Sequence, residues 1–373
     1  MAFRARVEAL KEALGRVLPI VPSRSLYPIT QNILLYQQGD TLEIRATDLE
    51  LSIKTLVSIV PDEGESVRVV VPPKPLIDLL RGFSEDEVIS VSQRELTLEL
   101  GSAYGKYEFG GIAPEEYPQF PTADKSSGVS LPVELIEEVV SQTAFAASRD
   151  DSRIALSGIY FDFHETHTFF VATDAHTLVR LRREDIRLPE SPKLLLPVRA
   201  LQSLQQALKG FPVGDTLMLY PAEGQVLFYH PILQMVSRLI DARYPDYQSV
   251  IPNSPPYSAR IRTEGFYKAL RRLMVLSDKT TGVIRLKFDK GSLLIGAEDT
   301  LNQRSGKESL PCEYEGPEFR IAFRGSVIGG VVEHIQAEEF IIRMEAPGRA
   351  AVIEPDPQGP SSELLFLAMP LMM

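Results

Sequence analysis

Five histidines in a chain of 373 residues invite a search for metal or general-base chemistry. The densest group is His164-Glu165-Thr166-His167. A zinc-binding HExxH sets its histidines four apart on one helix face, with the glutamate as base. Here they stand one residue closer, and the flanking runs GIYFDF and TFFVAT alternate as strands do, so the segment predicts a hairpin turn. A metal-dependent hydrolase using His164, Glu165 and His167 is the enzymatic alternative this cluster leaves open; the reading preferred here expects no metal and no cofactor.

Carboxylates are the next candidates. Asp48, Asp174 and Asp299 close the related segments RATD, VATD and GAED. Three such acids could be imagined in acid–base work. Their identical place in each segment predicts a turn role instead, because Asp bonds readily to the backbone just beyond it. The phosphate-binding GxxxxGK[ST], the nucleophile elbow GxSxG and the dinucleotide motif GxGxxG are all missing from the sequence. A single Cys312 excludes a disulfide framework and a thiolate metal cluster, and fits a reducing compartment. No catalytic residue is expected.

Two features bear on binding. The chain ends in ELLFLAMPLMM, an apolar run that reads either as a final edge strand or as a tail lining a pocket. The formal net charge is −11, which argues against a generally basic nucleic-acid binder. That figure is an average and leaves the field at any one face open. The six segments read below as helices sum to +2 and the remainder to −13.

The elements that carry these residues repeat. Amphipathic helices are predicted from Val7, Val133 and Thr263, the first with Val7, Leu10, Leu14, Val17 and Leu18 on one stripe. Asp48, Asp174 and Asp299 follow at intervals of 126 and 125 residues. A second helix recurs in KPLIDLLRGF to Phe83, VRALQSLQQALKGF to Phe211 and, most weakly, RGSVIGGVVEHI, where Gly329-Gly330 is a poor interior. Tyr117-Pro118 and Tyr244-Pro245 sit 127 apart in proline-rich connectors. Helix, strand and connector thus share one period. Between the helices, short period-two runs such as SVRVVV, LTLEL, TLMLY, VIRLKF and FIIRM predict antiparallel strands. The fold class is α+β, two helices packed on antiparallel sheet, three times over, with domains at 1–126, 127–255 and 256–373. No apolar run is long enough to cross a membrane and the charged N-terminus lacks a signal-peptide core, so a soluble cytoplasmic protein is expected.

The segments RATDLELSIKTLV, VATDAHTLVRL, IDARYPDYQSVIP and the terminal AMPLMM resemble the bacterial replicative sliding clamps, the beta subunits of DNA polymerase III. The resemblance runs over essentially the whole chain. It implies three domains of DNA-clamp topology and a homodimer closed head to tail into a ring, with twelve helices around a hole. Twelve helices about 10 Å wide enclose an opening of roughly 28 Å, room for a duplex roughly 20 Å across. The implied function is a non-catalytic processivity factor that encircles double-stranded DNA.

By the same resemblance, Arg24, Arg81, Arg149, Arg153 and Arg199 match DNA-facing positions. Leu156, Thr173, Ala175, His176, Leu178, Pro245, Val250, Leu367, Met369, Pro370 and Leu371 match a pocket for linear peptides. The peptides would come from the replicative polymerase, other polymerases, the clamp loader and mismatch-repair proteins. Lys106, Tyr107 and Phe109, facing Val275 and Leu276, match the dimer seam. The sequence departs from the family's usual pattern at Ala175, often Gly, at Thr177, often Arg, and at Met372, often basic.

Overall fold

The computed structural model describes residues 2–63, 66–122, 125, 127–188 and 192–372. Six α-helices lie among them: α1 Val7–Val17, α2 Pro73–Leu80, α3 Val133–Thr143, α4 Val198–Ala207, α5 Thr263–Met274 and α6 Gly325–Glu333. Each repeat holds two, as the periodicity predicts. In α1 the buried side chains are Val7, Leu10, Ala13, Leu14 and Val17, a 3.6-residue stripe. In α5 they are Phe266, Ala269, Leu270 and Leu273 behind Thr263.

Two helix ends differ from expectation. α2 and α4 stop at Leu80 and Ala207, short of Phe83 and Phe211. Beyond α4, Gly210 takes φ +84, a left-handed turn that a side chain would resist. The weakest predicted helix, α6, forms through Gly329 and Gly330. A Cβ on Gly329 would lie 3.6 Å from Leu270 of α5, and one on Gly330 3.6 Å from Phe145. Packing on two sides offsets the poor glycine propensity.

The chain divides into two compact units, residues 1–137 with 199–239 and residues 138–198 with 240–373. The cut runs through the middle repeat, because strands pair across repeat borders. In the first unit an eight-stranded antiparallel sheet runs Val129–Pro132, Thr216–Ala222, Gln225–His230, Leu233–Arg238, Leu51–Ser58, Thr41–Thr47, Ile33–Gln38, Arg68–Val71. Its joint between repeats is Leu233–Ser237 against Leu51–Thr55. A five-stranded sheet in the same unit ends on the strand Lys106–Gly110.

The second unit repeats the scheme. Its eight-stranded sheet runs Lys193–Pro197, Gly158–Phe163, Thr168–Thr173, Thr177–Arg183, Ser362–Ala368, Ala351–Asp356, Glu339–Met344, Tyr257–Arg262. The joint is Thr177–Arg183 against Ser362–Ala368. The C-terminal strand is therefore interior to the sheet. The edge-strand reading of the apolar terminus is wrong, and the run of buried Leu364 to Ala368 is what an interior strand needs. A four-stranded sheet completes the unit with Arg304–Pro311 at one edge. The strands Gly158–Phe163 and Thr168–Thr173 are buried on both faces, so one of their faces must be covered by something other than helix.

Candidate functional site

The cover is an aromatic layer, and the register of the second unit's large sheet shows how it is built. Tyr160 lies opposite Val171, Val171 opposite Arg180, and Arg180 opposite Leu365. The next row is Asp162, Phe169, Arg182 and Glu363. At the other end Leu178 faces Leu367. One sheet face thus grades from apolar to charged, as alternate residues must share a face. Tyr244 stacks on Tyr160 at 4.5 Å with planes 6° apart, and Tyr247 meets Tyr160 edge-on. Burial pushes the Tyr160 hydroxyl up to about 12 and those of Tyr244 and Tyr247 higher still, so all three remain neutral hydrogen-bonding groups.

A tight turn stands at the apolar end. Asp174 Oδ1 accepts the N–H groups of His176 and Thr177 at 2.8 and 2.7 Å. Thr173 Oγ1 accepts from Ala175 N and donates to Thr177 O. Ala175 is held at φ +74, in the left-handed region that disfavours a side chain. The same device recurs at Asp48, which accepts from Glu50 N and Leu51 N, and at Asp299, which accepts from Asn302. The repeated aspartates are turn residues, as their spacing predicts.

Around the Asp174 turn lies a cavity of about 530 Å³. Nine of the eleven residues matched to a peptide pocket line it: Leu156, Thr173, Ala175, His176, Leu178, Pro245, Val250, Leu367 and Met369. Pro370 and Leu371 do not. Met369 N donates to His176 O, and the chain then leaves, with Leu371 N bonded to Ala322 O. The sequence reading missed Tyr247, Ile251 and the wall formed by Glu345, Arg349 and Ala350. Tyr247 and Ile251 lie in the quoted YPDYQSVIP run, whereas the Glu345–Ala350 wall has no sequence signal. Val250 and Met369 stay exposed, at 53 % and 42 %, leaving an apolar seat open to solvent. A larger groove of about 870 Å³ at the charged end is lined by Arg182, Arg343, Glu354 and Glu363, which pair among themselves.

His164 to His167 forms the predicted hairpin turn, closed by His164 N to His167 O at 2.9 Å. The two rings stack 4.7 Å apart. Among the described residues, no group of three or more His, Cys, Asp or Glu is placed to hold a metal ion. The hydrolase reading has no geometric support.

The five arginines matched to DNA have different surroundings. Arg24 is exposed on the loop before the short helical turn Pro28–Gln31, with no carboxylate partner among the described residues. Arg81 follows α2 and pairs with Asp78 at 2.9 Å. Arg199 in α4 reaches the buried Oδ2 of Asp48 at 2.6 Å, so part of its guanidinium is committed to that turn. Arg149 is exposed, and Arg153 pairs with Asp150 while donating to Asp174 O at 3.1 Å. Arg153 therefore braces the pocket turn.

The seam candidates lie on an edge strand in the first unit and just past a helix in the second. Lys106 is exposed and Tyr107 and Phe109 half-buried on the edge strand of the first unit. Val275, just past α5, is 72 % exposed. Leu276 lies over Gly306 of the edge strand Arg304–Pro311, where an added Cβ would come within 2.6 Å of it. That strand, absent from the sequence reading, carries Glu308 in a two-bond ion pair with Arg272.

Threefold α+β repeats, fused across their borders into continuous sheets, are the architecture of a sliding clamp. Models of the N-terminal, central and C-terminal domains of the DNA polymerase III beta subunit match residues 1–121, 130–246 and 248–370. The chain belongs to the DNA polymerase III beta-subunit family. The beta sliding clamp of Synechococcus elongatus is 26 % identical over 374 residues, covering 100 % of this chain and 99 % of that one. The crystal structure of the DNA polymerase III subunit beta from Pseudomonas aeruginosa superposes with a TM-score of 0.92 at 23 % identity, over 100 % of both chains. A structure of the clamp from that organism bound to griselimycin gives 0.92 at 22 % identity, again over 100 % of both.

Proposed function

We propose that two copies of this chain close head to tail around duplex DNA, and that the cavity beside Asp174 docks linear peptides of the polymerase, clamp loader and repair proteins. The role is that of a processivity factor and is non-catalytic. The three sequence repeats, at 1–126, 127–255 and 256–373, serve as the clamp domains, and the protein works in the cytoplasm. The seam joins the edge strand Lys106–Gly110 of one copy to the Val275–Leu276 corner of the other. An isologous pairing would bury one patch twice, whereas a heterologous one that closes gives a ring. Arg24, Arg81, Arg149, Arg153 and Arg199 are the cationic groups offered to phosphates. Their number is small, in keeping with a ring that must slide, because each neutralised phosphate adds to binding and to salt dependence.

The observation that carries the docking reading is the cavity itself: adaptable Leu and Met side chains around a rigid turn suit several different peptides. Griselimycin, the ligand of the related clamp, is proposed to occupy the same seat. The test of the topological claim is retention. Clamp loaded on nicked circular plasmid should stay through gel filtration and leave once the circle is cut. Retention unaffected by cutting refutes enclosure. Removing residues 369–373 should abolish griselimycin binding and leave the dimer; loss of the dimer would make the tail a seam element.

A further inference from the structure

Asp162 is a carboxylate in the wrong place for a structural bystander. It sits in the strand Gly158–Phe163 and is 4 % exposed, on the same sheet face as the aromatic layer. One oxygen, Oδ2, accepts the Tyr247 hydroxyl at 2.8 Å and lies 3.3 Å from His164 Nε2. The other, Oδ1, is buried with no partner among the described residues. An ionised group so far from water persists only when paired. Tyr247 is a wall of the peptide cavity, while His164 is on the hairpin turn outside it. Asp162 therefore joins a pocket wall to a surface imidazole.

His167 stacks on His164 and opposes a second positive charge there; burial, His164 and Arg182 all hold the His167 imidazole below its ordinary value. Arg182 is itself engaged by Glu184 and Glu363. Arg180 lies over the Phe169 ring with its Nε unpartnered among the described residues. Tyr160 and Tyr247 stay neutral. Besides the Tyr247 hydroxyl, the polar side chain set beside the Asp162 carboxylate is the imidazole of His164.

We infer that Asp162 is a positioning residue for the peptide cavity: it accepts the Tyr247 hydroxyl and so fixes the ring that forms the cavity wall, with the His164 imidazole set beside it. The inference rests on the docking reading of the cavity. Affinity for a cavity ligand therefore depends on the bond between Tyr247 and Asp162.

The experiment is calorimetric titration of the full-length protein with griselimycin. D162N keeps an oxygen that accepts from Tyr247 and should bind within roughly threefold of wild type. D162L removes acceptor and charge and should weaken binding roughly tenfold or more, the cost of a lost bond to a charged group. D162L binding like wild type refutes the inference. Should D162L not fold, Y247F replaces it: loss of the hydroxyl must weaken binding comparably, and unchanged affinity refutes the claim. Absence of griselimycin binding in wild type would end the docking reading. The position of Tyr247 is then read from ring signals of 13C-tyrosine protein, where no difference between wild type and the Asp162 or Tyr247 variant that folds overturns the inference.

Discussion

Replacing Asp48, Asp174 and Asp299 by alanine, one at a time, tests whether one turn device carries three different burdens. Each carboxylate accepts two hydrogen bonds across its turn, from Glu50 N and Leu51 N, from His176 N and Thr177 N, and from the backbone and side-chain amides of Asn302. A bond to an ionised acceptor contributes about 1.5–3 kcal/mol at best and less where water competes. Asp174 is half-buried, so alanine there should cost about 2 kcal/mol in all. Asp48 also loses Arg199, but that arginine is 56 % exposed and the ion pair adds little. The three variants should therefore lose similar stability, roughly 4–8 °C in melting temperature, taking each compact unit as the melting body. Binding should separate them. Only the Asp174 turn lines the cavity, and its release frees Ala175 from φ +74 and His176 from its contact with Met369. D174A should weaken griselimycin roughly tenfold, about 1.4 kcal/mol. D48A and D299A should bind as wild type. Scanning calorimetry and isothermal titration on the three proteins provide the readouts. Equal loss of affinity in all three would show that general destabilisation, and not the local turn, sets the affinity.

Three other outcomes follow from the geometry. V275D and L276D should each convert the dimer to monomer by light scattering, since a charge would be buried unpaired at the seam; dimers surviving both would place the seam elsewhere. G306A should destabilise by about 1–2 kcal/mol in thermal melts, because its Cβ meets Leu276, which can swing outward, and the buried Leu273, which cannot; unchanged melting would show that this corner is loosely packed. Hydrogen bonds from Arg183 hold the Asp185 carboxyl below its ordinary value. A depressed acid stabilises the fold above the unfolded value near about 4, and this contribution is lost as pH falls through the folded one. Below about pH 4 wild type should lose melting temperature more steeply than R183Q, and parallel curves would remove Arg183 from the acid response.

Most of the fold is legible in the sequence because local patterns are repeated. A helix stripe seen three times at one period is harder to mistake than a single stripe, and the runs LTLEL, TLMLY and VIRLKF all become strands. Pairing across repeats is not legible. Nothing in RATDLELSIK or LQMVSR says that Leu51–Thr55 will pair with Leu233–Ser237, since hydrogen bonding between strands is blind to sequence distance. The apolar terminus leaves two readings open for the same reason, and only the edge-strand one fails: burial on both faces and an exposed apolar edge look alike in one dimension. The pocket was reached through resemblance at nine positions. Its third wall, Glu345 to Ala350, is an ordinary loop whose place depends on a long-range register. Asp162 was invisible too. One acid in GIYFDF reads as the polar beat of an alternating strand, yet the strand is buried throughout.

The three turns differ in how they are closed. In the first unit the Asp48 turn is bolted shut: Arg199 holds Asp48, Arg238 N donates to Glu50 O, and its guanidinium lies 3.6 Å from the Glu50 carboxylate. Leu49 there takes φ +78, the counterpart of Ala175. In the third repeat Asn302 closes the Asp299 turn from within. Only at Asp174 does the residue in the left-handed position carry a single methyl, and only there does the terminal strand run alongside and deliver Met369. On the docking reading proposed above, a larger side chain at position 175 would crowd a bound ligand. The steric strain of a non-glycine residue in the left-handed region, about 1–2 kcal/mol, is borne by Leu49 and Ala175 alike, so what sets the Asp174 turn apart is the size of the side chain it carries.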